Sequence, residues 1–236
     1  MTLTGEQMWF FRHNGFLRLT EKLPTELVER TKEIVLRDIR EEIEPIRRDK
    51  DGTVHRISNI LDRDPIFMKI ATWLPVMDAL GQFIGPNIEI IRNRHNHVML
   101  RTSTAGYVYM HRDCYTWSRN SVSALFFLEE TNLENGCTEV IPGTHLLPWF
   151  ESPLEKNEEV QKMGILDQVV RLPMPAGGIL LMDSYVMHSQ GRNYSGDSRM
   201  SITLGYHSVD ELAGVDNPKS MLLLGKRVYG GNDGGR

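Results

Sequence analysis

Two side chains that can bind a metal stand one residue apart in Tyr107-Val-Tyr-Met-His111-Arg-Asp113. In extended backbone the side chains alternate, so residues two apart face the same way. The stretch reads as a β-strand ending in His111 and Asp113, an imidazole nitrogen and a carboxylate oxygen able to grip one ion from one side. His-x-Asp recurs by chance, so its meaning depends on a third ligand and on a partner for a cosubstrate. His188, after the apolar run Gly178-Ile-Leu-Leu-Met-Asp183 and a turn, offers the third ligand. Two histidines and one carboxylate on a β scaffold match the facial arrangement of non-haem Fe(II) oxygenases, which leaves coordination positions open. A 2-oxoacid can fill two of these as a chelate and dioxygen another. The far carboxylate of such a diacid needs a fixed cation. Arg199, eleven residues beyond His188 on the next strand, can meet it with a forked pair of charge-assisted hydrogen bonds. Ser201, two residues further on the same strand face, adds a hydroxyl donor.

The elements that must position these groups fall into two zones. The first is helical. Met8, Phe10, Phe11 and Phe16 form an apolar pattern broken at Asn14-Gly15, and Phe16-Leu-Arg-Leu alternates like a short strand. A helix opens at Thr25 and runs to about residue 42, with Leu27, Val28, Ile34, Val35, Leu36 and Ile39 as its buried stripe. The charged run 37–52 reads as a solvated helix end and loop, and Val54–Ile57 as a brief strand. Asp64-Pro65 opens one further helix that reaches Leu80. From residue 88 the pattern changes to short strands and turns: 88–92, 96–101, 106–110, 121–128, 138–145, 169–172, 178–183 and 199–207. Many short strands separated by turns predict a sandwich or barrel, with the N-terminal third contributing helices.

Composition narrows the function classes. The chain has 236 residues, 40% hydrophobic and 25% charged, as in an ordinary globular protein. A net charge of −4 and the lack of a Lys/Arg cluster with interleaved aromatics argue against nucleic acid as a partner. No apolar run has the length of a membrane span, and the first residues lack the pattern of a secretory signal. Two cysteines, Cys114 and Cys137, form no disulfide framework, which fits a reducing cytoplasm. Cys114 reads as a small strand residue. His95-Asn-His97 has no accompanying carboxylate and reads as packing or pocket lining; His145, in a Pro-Gly turn, reads as structural.

His111-Arg-Asp113, Asn135-Gly136, Ile141-Pro-Gly-Thr-His145, His188-Ser-Gln-Gly and Arg199-Met-Ser201 resemble the phytanoyl-CoA dioxygenase family of Fe(II)/2-oxoglutarate-dependent oxygenases. Phe10-Phe-Arg-His-Asn-Gly-Phe16 is similar to the family's opening helix and turn. The resemblance implies a mainly β protein with flanking helices, built on a double-stranded β-helix (jelly roll, cupin-like). It implies a single oxygenase domain over 1–236, with a helix-rich flank at 1–87, a jelly-roll core at 88–210 and a C-terminal tail at 211–236. It further implies Fe(II), 2-oxoglutarate and O2 as cofactors, with His111, Asp113 and His188 as iron ligands and Arg199 on the 2-oxoglutarate tail. Asn96, Arg56 and Thr138 fall near positions where the family adds cosubstrate contacts. Tyr109, Tyr115 and Trp117 flank the ligand pair as candidates for a substrate cavity.

Two features depart from the family pattern. Gln190 stands where the family often has a hydroxyl, and no basic patch suits the phosphates of coenzyme A, which weakens phytanoyl-CoA itself as substrate. The expected activity is oxidation of a C–H bond in a small molecule. A natural-product tailoring step is favoured, either hydroxylation or oxidative ring closure on a hydroxyl-rich compound such as a sugar-containing antibiotic. A lipid or acyl-thioester hydroxylase and a non-catalytic metal-binding jelly roll are the rival readings. The sequence is silent on oligomeric state.

Overall fold

The computed structural model describes residues 2–92, 95–101, 108–113, 121–148, 150, 153–196, 198–209 and 220–226. The chain begins with α1 (Gly5–Asn14), started by a reciprocal cap in which the Thr4 hydroxyl accepts from the Gln7 amide and the Gln7 side chain accepts from that of Thr4. Gly15, in left-handed conformation (φ 80°), ends it and turns the chain into β1 (Phe16–Arg18). α2 (Thr25–Arg40) buries Val28, Ile34 and Val35 and turns its charged face outward. The run expected to be loop contains β2 (Ile46–Arg48), which forms a hairpin with β3 (Val54–Ser58). Three residues, two of them arginines, at a sheet edge carry no alternation that a sequence pattern can register.

The single helix expected after Asp64 is two: α3 (Pro65–Ala71) and α4 (Leu74–Ile84). The break falls at Thr72-Trp73. Pro75, which has no N–H to give a preceding turn, is accommodated in the first turn of a new helix. β4 (Ile88–Ile91), β5 (Asn96–Arg101), β6 (Ser121–Phe127) and β7 (Thr138–Ile141) follow, then α5 (Glu158–Lys162). β8 (Val170–Leu172), β9 (Ile179–Asp183), β10 (Met187–Gln190), β11 (Arg199–Ser208) and β12 (Ser220–Leu224) complete the described elements. β12 lies in the segment expected to be a tail, yet it pairs with β4.

Every strand pairing among the described residues is antiparallel. The large sheet runs β1-β9-β6-β11-β5-β3-β2, with β4 also on β11 and β12 on β4; the small sheet is β10-β7-β8. Leu125, Phe127, Leu180 and Met182 of the large sheet pack against Val140 and Leu172 of the small one, so the two sheets close face to face as a jelly roll. The other face of the large sheet carries Val98, Val122, Ala124, Phe126, Ile202, Leu204 and Tyr206. It packs against α2, α3 and α4 through Val28, Ile34, Phe67, Ile70 and Leu80. Both faces of β6 and β11 are therefore buried, which explains their nearly unbroken apolar character. On β5, β6 and β11 the odd-numbered residues face the interior of the roll. No helix among the described residues is long and apolar enough to cross a membrane.

Candidate metal and cosubstrate site

His111 and His188 meet as a cross-strand pair: each backbone N–H donates to the other's carbonyl at 2.9 Å. Side chains of directly opposed residues share a face, and the two imidazole centroids are 4.5 Å apart. The strand expected to lead into His111 is not present in residues 108–110, which are irregular, and His111 makes an isolated bridge. What fixes the segment is Arg112. Buried between the two ligands and aimed away from them, its guanidinium donates to the carbonyls of Thr144 (2.6 Å), Leu147 (3.3 Å) and Pro148 (2.8 Å) and lies over the Phe150 ring. Met110 N–H donates to Glu155 Oε1 at 2.5 Å. These anchors leave His111 and Asp113 on the same side.

One nitrogen or oxygen atom from each of His111, Asp113 and His188 lies within 4.8 Å of the others. The remaining atoms of each group are already committed. His111 Nδ1–H donates to the Tyr109 carbonyl (2.8 Å) and His188 Nδ1–H to that of Val186 (3.0 Å). A carbonyl can only accept, so each Nδ1 carries a proton, and in the neutral ring the lone pair is then on Nε2. Asp113 Oδ2 accepts the Ser123 hydroxyl at 2.5 Å, while Oδ1 stands 3.6 Å from His188 Nε2. Burial, reinforced by His188, holds the His111 pKa below its ordinary value. Burial pushes Asp113 up, but His188, His95, His111 and the Ser123 hydroxyl outweigh it and hold the carboxyl below the usual range. A divalent metal takes neutral imidazole nitrogens and an ionised carboxylate, and two histidines with one aspartate are a donor set that fits such an ion.

The three groups open onto a cavity of about 500 Å³, whose walls include Arg56, His97, Met99, Thr138, Gln190 and Thr203. Ser201 and Arg199 continue the inward face of β11 beyond Thr203 at two-residue steps. Arg199 is 3% exposed, opposes Arg101 across the β11–β5 ladder, and its Nη1 has no hydrogen-bond partner among the described residues. Burial, then the like charge of Arg101, pushes its pKa down to about 10. A buried guanidinium without an anion is costly, and a small carboxylate ligand relieves that cost.

The remaining sequence candidates divide. Thr138 and Arg56 line the cavity. Asn96 does not: with Val98 and Leu100 it faces the helix layer, and its amide is spent on Leu61 N–H (3.1 Å) and the Arg92 carbonyl (2.6 Å). Tyr109 is 52% exposed and contributes its carbonyl to His111. Tyr115 and Trp117, like Tyr107 and Cys114, lie outside the described residues. His95 and His97 both line the cavity, His95 Nδ1 standing 3.8 Å from Asp113 Oδ1. His145 makes a structural contact to the Arg12 carbonyl at 3.1 Å. Sequence reasoning missed Ser123, Arg112 and Thr203. Hydroxyls at Ser121 and Ser123 inside the apolar run of β6 were the available signal for the first.

Residues 11–201 match the family profile of phytanoyl-CoA dioxygenase (PhyH). The chain belongs to the phytanoyl-CoA dioxygenase family. That family consists of non-haem iron, 2-oxoglutarate-dependent dioxygenases. The mouse phytanoyl-CoA dioxygenase domain-containing protein 1 is 26% identical over 186 residues, 73% of this chain and 62% of that protein; the chain thus spans about three fifths of that relative's length. Among solved structures, SnoK, a non-haem α-ketoglutarate-dependent carbocyclase from nogalamycin biosynthesis, superposes with a TM-score of 0.75 at 16% identity, covering 89% of this chain and 85% of SnoK. The epimerase SnoN, in complex with Fe3+, α-ketoglutarate and nogalamycin RO, gives 0.73 at 19% identity, covering 94% and 96%. At these identities the two structures establish a shared jelly-roll fold.

Proposed function

We propose that this family member oxidises a C–H bond of a small, polar molecule with Fe(II), 2-oxoglutarate and O2, as a natural-product tailoring step. In this reading His111, Asp113 and His188 hold the iron through Nε2, one carboxylate oxygen and Nε2. Arg199, helped by Ser201, receives the far carboxylate of 2-oxoglutarate. The bound pair of metal and 2-oxoacid supplies the oxidising power by coupling reduction of dioxygen to decarboxylation of the 2-oxoacid. The chain's own work is positional. The Tyr109 and Val186 carbonyls lock the two imidazole tautomers, Ser123 leaves a single Asp113 oxygen for the metal, and Arg112 ties the ligand segment to the turn at 144–148.

The observation that carries the proposal is Arg199: a buried cation with a nitrogen that has no partner among the described residues, on the face that leads to the three converging ligands. A cavity of about 500 Å³ with Arg56, His97, Thr138, Gln190 and Thr203 in its walls suits a hydroxyl-rich compound better than a long acyl chain. The test is an anaerobic titration with Fe(II) and 2-oxoglutarate, followed by the visible charge-transfer band of the chelate, and then succinate release in the presence of candidate substrates. His111→Ala should abolish the band. A wild-type protein that binds neither iron nor 2-oxoglutarate would end this reading.

A further inference from the structure

His95 is held in a backbone conformation that a residue with a Cβ disfavours, and the chain around it makes room for its side chain. Its φ is 46°, in the left-handed region. Of the three non-glycine residues with positive φ among the described residues, it alone lines the metal cavity. The bend that carries it is tied down at its exit. Asn96, the first residue of β5, accepts from Leu61 N–H at 3.1 Å and donates to the Arg92 carbonyl at 2.6 Å, and its own carbonyl accepts from Asn59 N–H at 2.8 Å. Across from it, Gly205 of β11 donates its N–H to the His95 carbonyl at 3.2 Å, and a Cβ added to Gly205 would stand 3.2 Å from that of His95. Strained backbone, an anchored bend and a glycine at the closest approach together deliver one imidazole into the cavity beside the metal ligands.

The ring's surroundings limit what it can hold. Its Nδ1 is 3.8 Å from Asp113 Oδ1, the carboxylate oxygen that the Ser123 hydroxyl leaves for the metal. That is too far for a hydrogen bond, yet close enough that a group held by His95 lies next to the reacting centre. Two residues along the same wall, His97 is 8% exposed and its Nδ1 has no hydrogen-bond partner among the described residues. The two ring centroids are 6.2 Å apart, and Thr203 opposes His97 on β11. An anion at His95 would meet the charge of Asp113, and a cation would meet that of the metal. A hydroxyl, which both donates and accepts, avoids both penalties and matches the imidazole and threonine groups around it. We propose that His95 grips a hydroxyl of the substrate and so selects the carbon that is oxidised, either the one bearing that hydroxyl or its neighbour. The substrate class is then an alcohol or polyol whose reacting C–H bond lies beside a hydroxyl group. This inference rests on the oxygenase reading and adds the group that the same cavity recognises.

The test uses protein loaded anaerobically with Fe(II) and saturating 2-oxoglutarate. Two sets of probes serve, methyl α-D-glucopyranoside with its monodeoxy analogues and cis-indane-1,2-diol with 1-indanol and 2-indanol, read by calorimetry and by perturbation of the charge-transfer band. In at least one set, loss of a single hydroxyl should weaken binding about tenfold, the scale of one hydrogen bond left unmade in a buried site. His95→Gly, which removes the ring and relieves the left-handed backbone, should erase that difference while leaving Fe(II) and 2-oxoglutarate affinity unchanged. His95→Asn, which tolerates the same backbone and keeps a donor and an acceptor, should retain part of it. Binding that ignores every hydroxyl, binding of no probe at all, or a difference that survives His95→Gly would each overturn the proposal. A fall in Fe(II) affinity of about tenfold or more in His95→Gly would make His95 a support for Asp113 and overturn it as well. Absence of the band in wild type is a different failure: it removes the oxygenase reading and this inference with it.

Discussion

Replacing Arg199 with methionine should move two observables in opposite directions. The side chain is 3% exposed, its Nη1 lacks a partner among the described residues, and Arg101 opposes it on the neighbouring strand. Burial, with Arg101 adding to it, lowers its pKa from the ordinary guanidinium range to about 10. A displacement of that size corresponds to roughly 3 kcal/mol disfavouring the charged form relative to water. Methionine fills similar length without charge, so the ligand-free variant should gain about 1–3 kcal/mol, with the lower end set by imperfect packing. The same substitution removes the fork that receives the cosubstrate, costing roughly 1.5–3 kcal/mol of 2-oxoglutarate binding, or about a 10- to 150-fold rise in Kd. Urea unfolding of the metal-free protein measures the first effect, and anaerobic calorimetry with Fe(II) and 2-oxoglutarate the second. At about a hundred times the wild-type Kd the cosubstrate should stabilise wild type by about 2.7 kcal/mol and the variant by only about 0.3–1.4 kcal/mol. The stability order of the two proteins then narrows or reverses on adding ligand. A variant that is less stable without ligand and binds 2-oxoglutarate normally would show that the guanidinium is a structural cation, and the reasoning would be wrong.

Three further outcomes are expected. Ser123→Ala frees Asp113 Oδ2 from the hydroxyl that holds it at 2.5 Å; Fe(II) affinity should drop about 10- to 100-fold in chelator competition, and an unchanged affinity would remove Ser123 from the ligand assembly. Arg112→Leu strips donors from three carbonyls and should destabilise the fold by about 2–4 kcal/mol. It should also weaken metal binding more than an equally destabilising change in α2; equal losses would make Arg112 a purely global stabiliser. For His97, the unfolded chain takes up a proton below about pH 6.5 that the folded site refuses until about pH 3. Stability should therefore fall as pH drops through that window, by at most about 1.4 kcal/mol per pH unit. His97→Gln should flatten the acid limb of a stability–pH profile, and an unaltered limb would contradict the assignment.

The glycine of Asn135-Gly136 shows how a local signal and its tertiary reason can be separate facts. The dipeptide reads as a turn from sequence, and Gly136 does take a positive φ of 79°. Its second constraint comes from far along the chain: an added Cβ would run into the Gly191 carbonyl oxygen, next to the strand that carries His188. Likewise Gly15 ends α1, as the break in the apolar pattern indicates, while the His145 ring occupies the space a side chain would need.

What the sequence determined by itself is whatever covalent geometry propagates locally. The two-residue step in Arg199–Ser201 sets which side chains share a face, whereas His111 and Asp113 owe their common side to the anchors of Arg112 and Met110; the helical stripe of α2, apart from the exposed Leu36, and most strands were legible from periodicity. The short edge strand β2, the division of α3 from α4 and the pairing of β12 were not, because a three-residue strand or a proline in a first turn acquires its meaning from neighbours. Asn96 failed for a related reason. Both faces of β5 are buried, so alternation separates its residues into two sets without saying which set looks inward. Only tertiary structure joined His111 to His188 across 77 positions of sequence. It alone gave Arg112 its three carbonyls and left Arg199 and Arg56 without a carboxylate partner among the described residues. A side chain's direction follows from its own backbone, but its partners, and therefore its charge state and chemistry, are supplied by segments that folding brings from elsewhere.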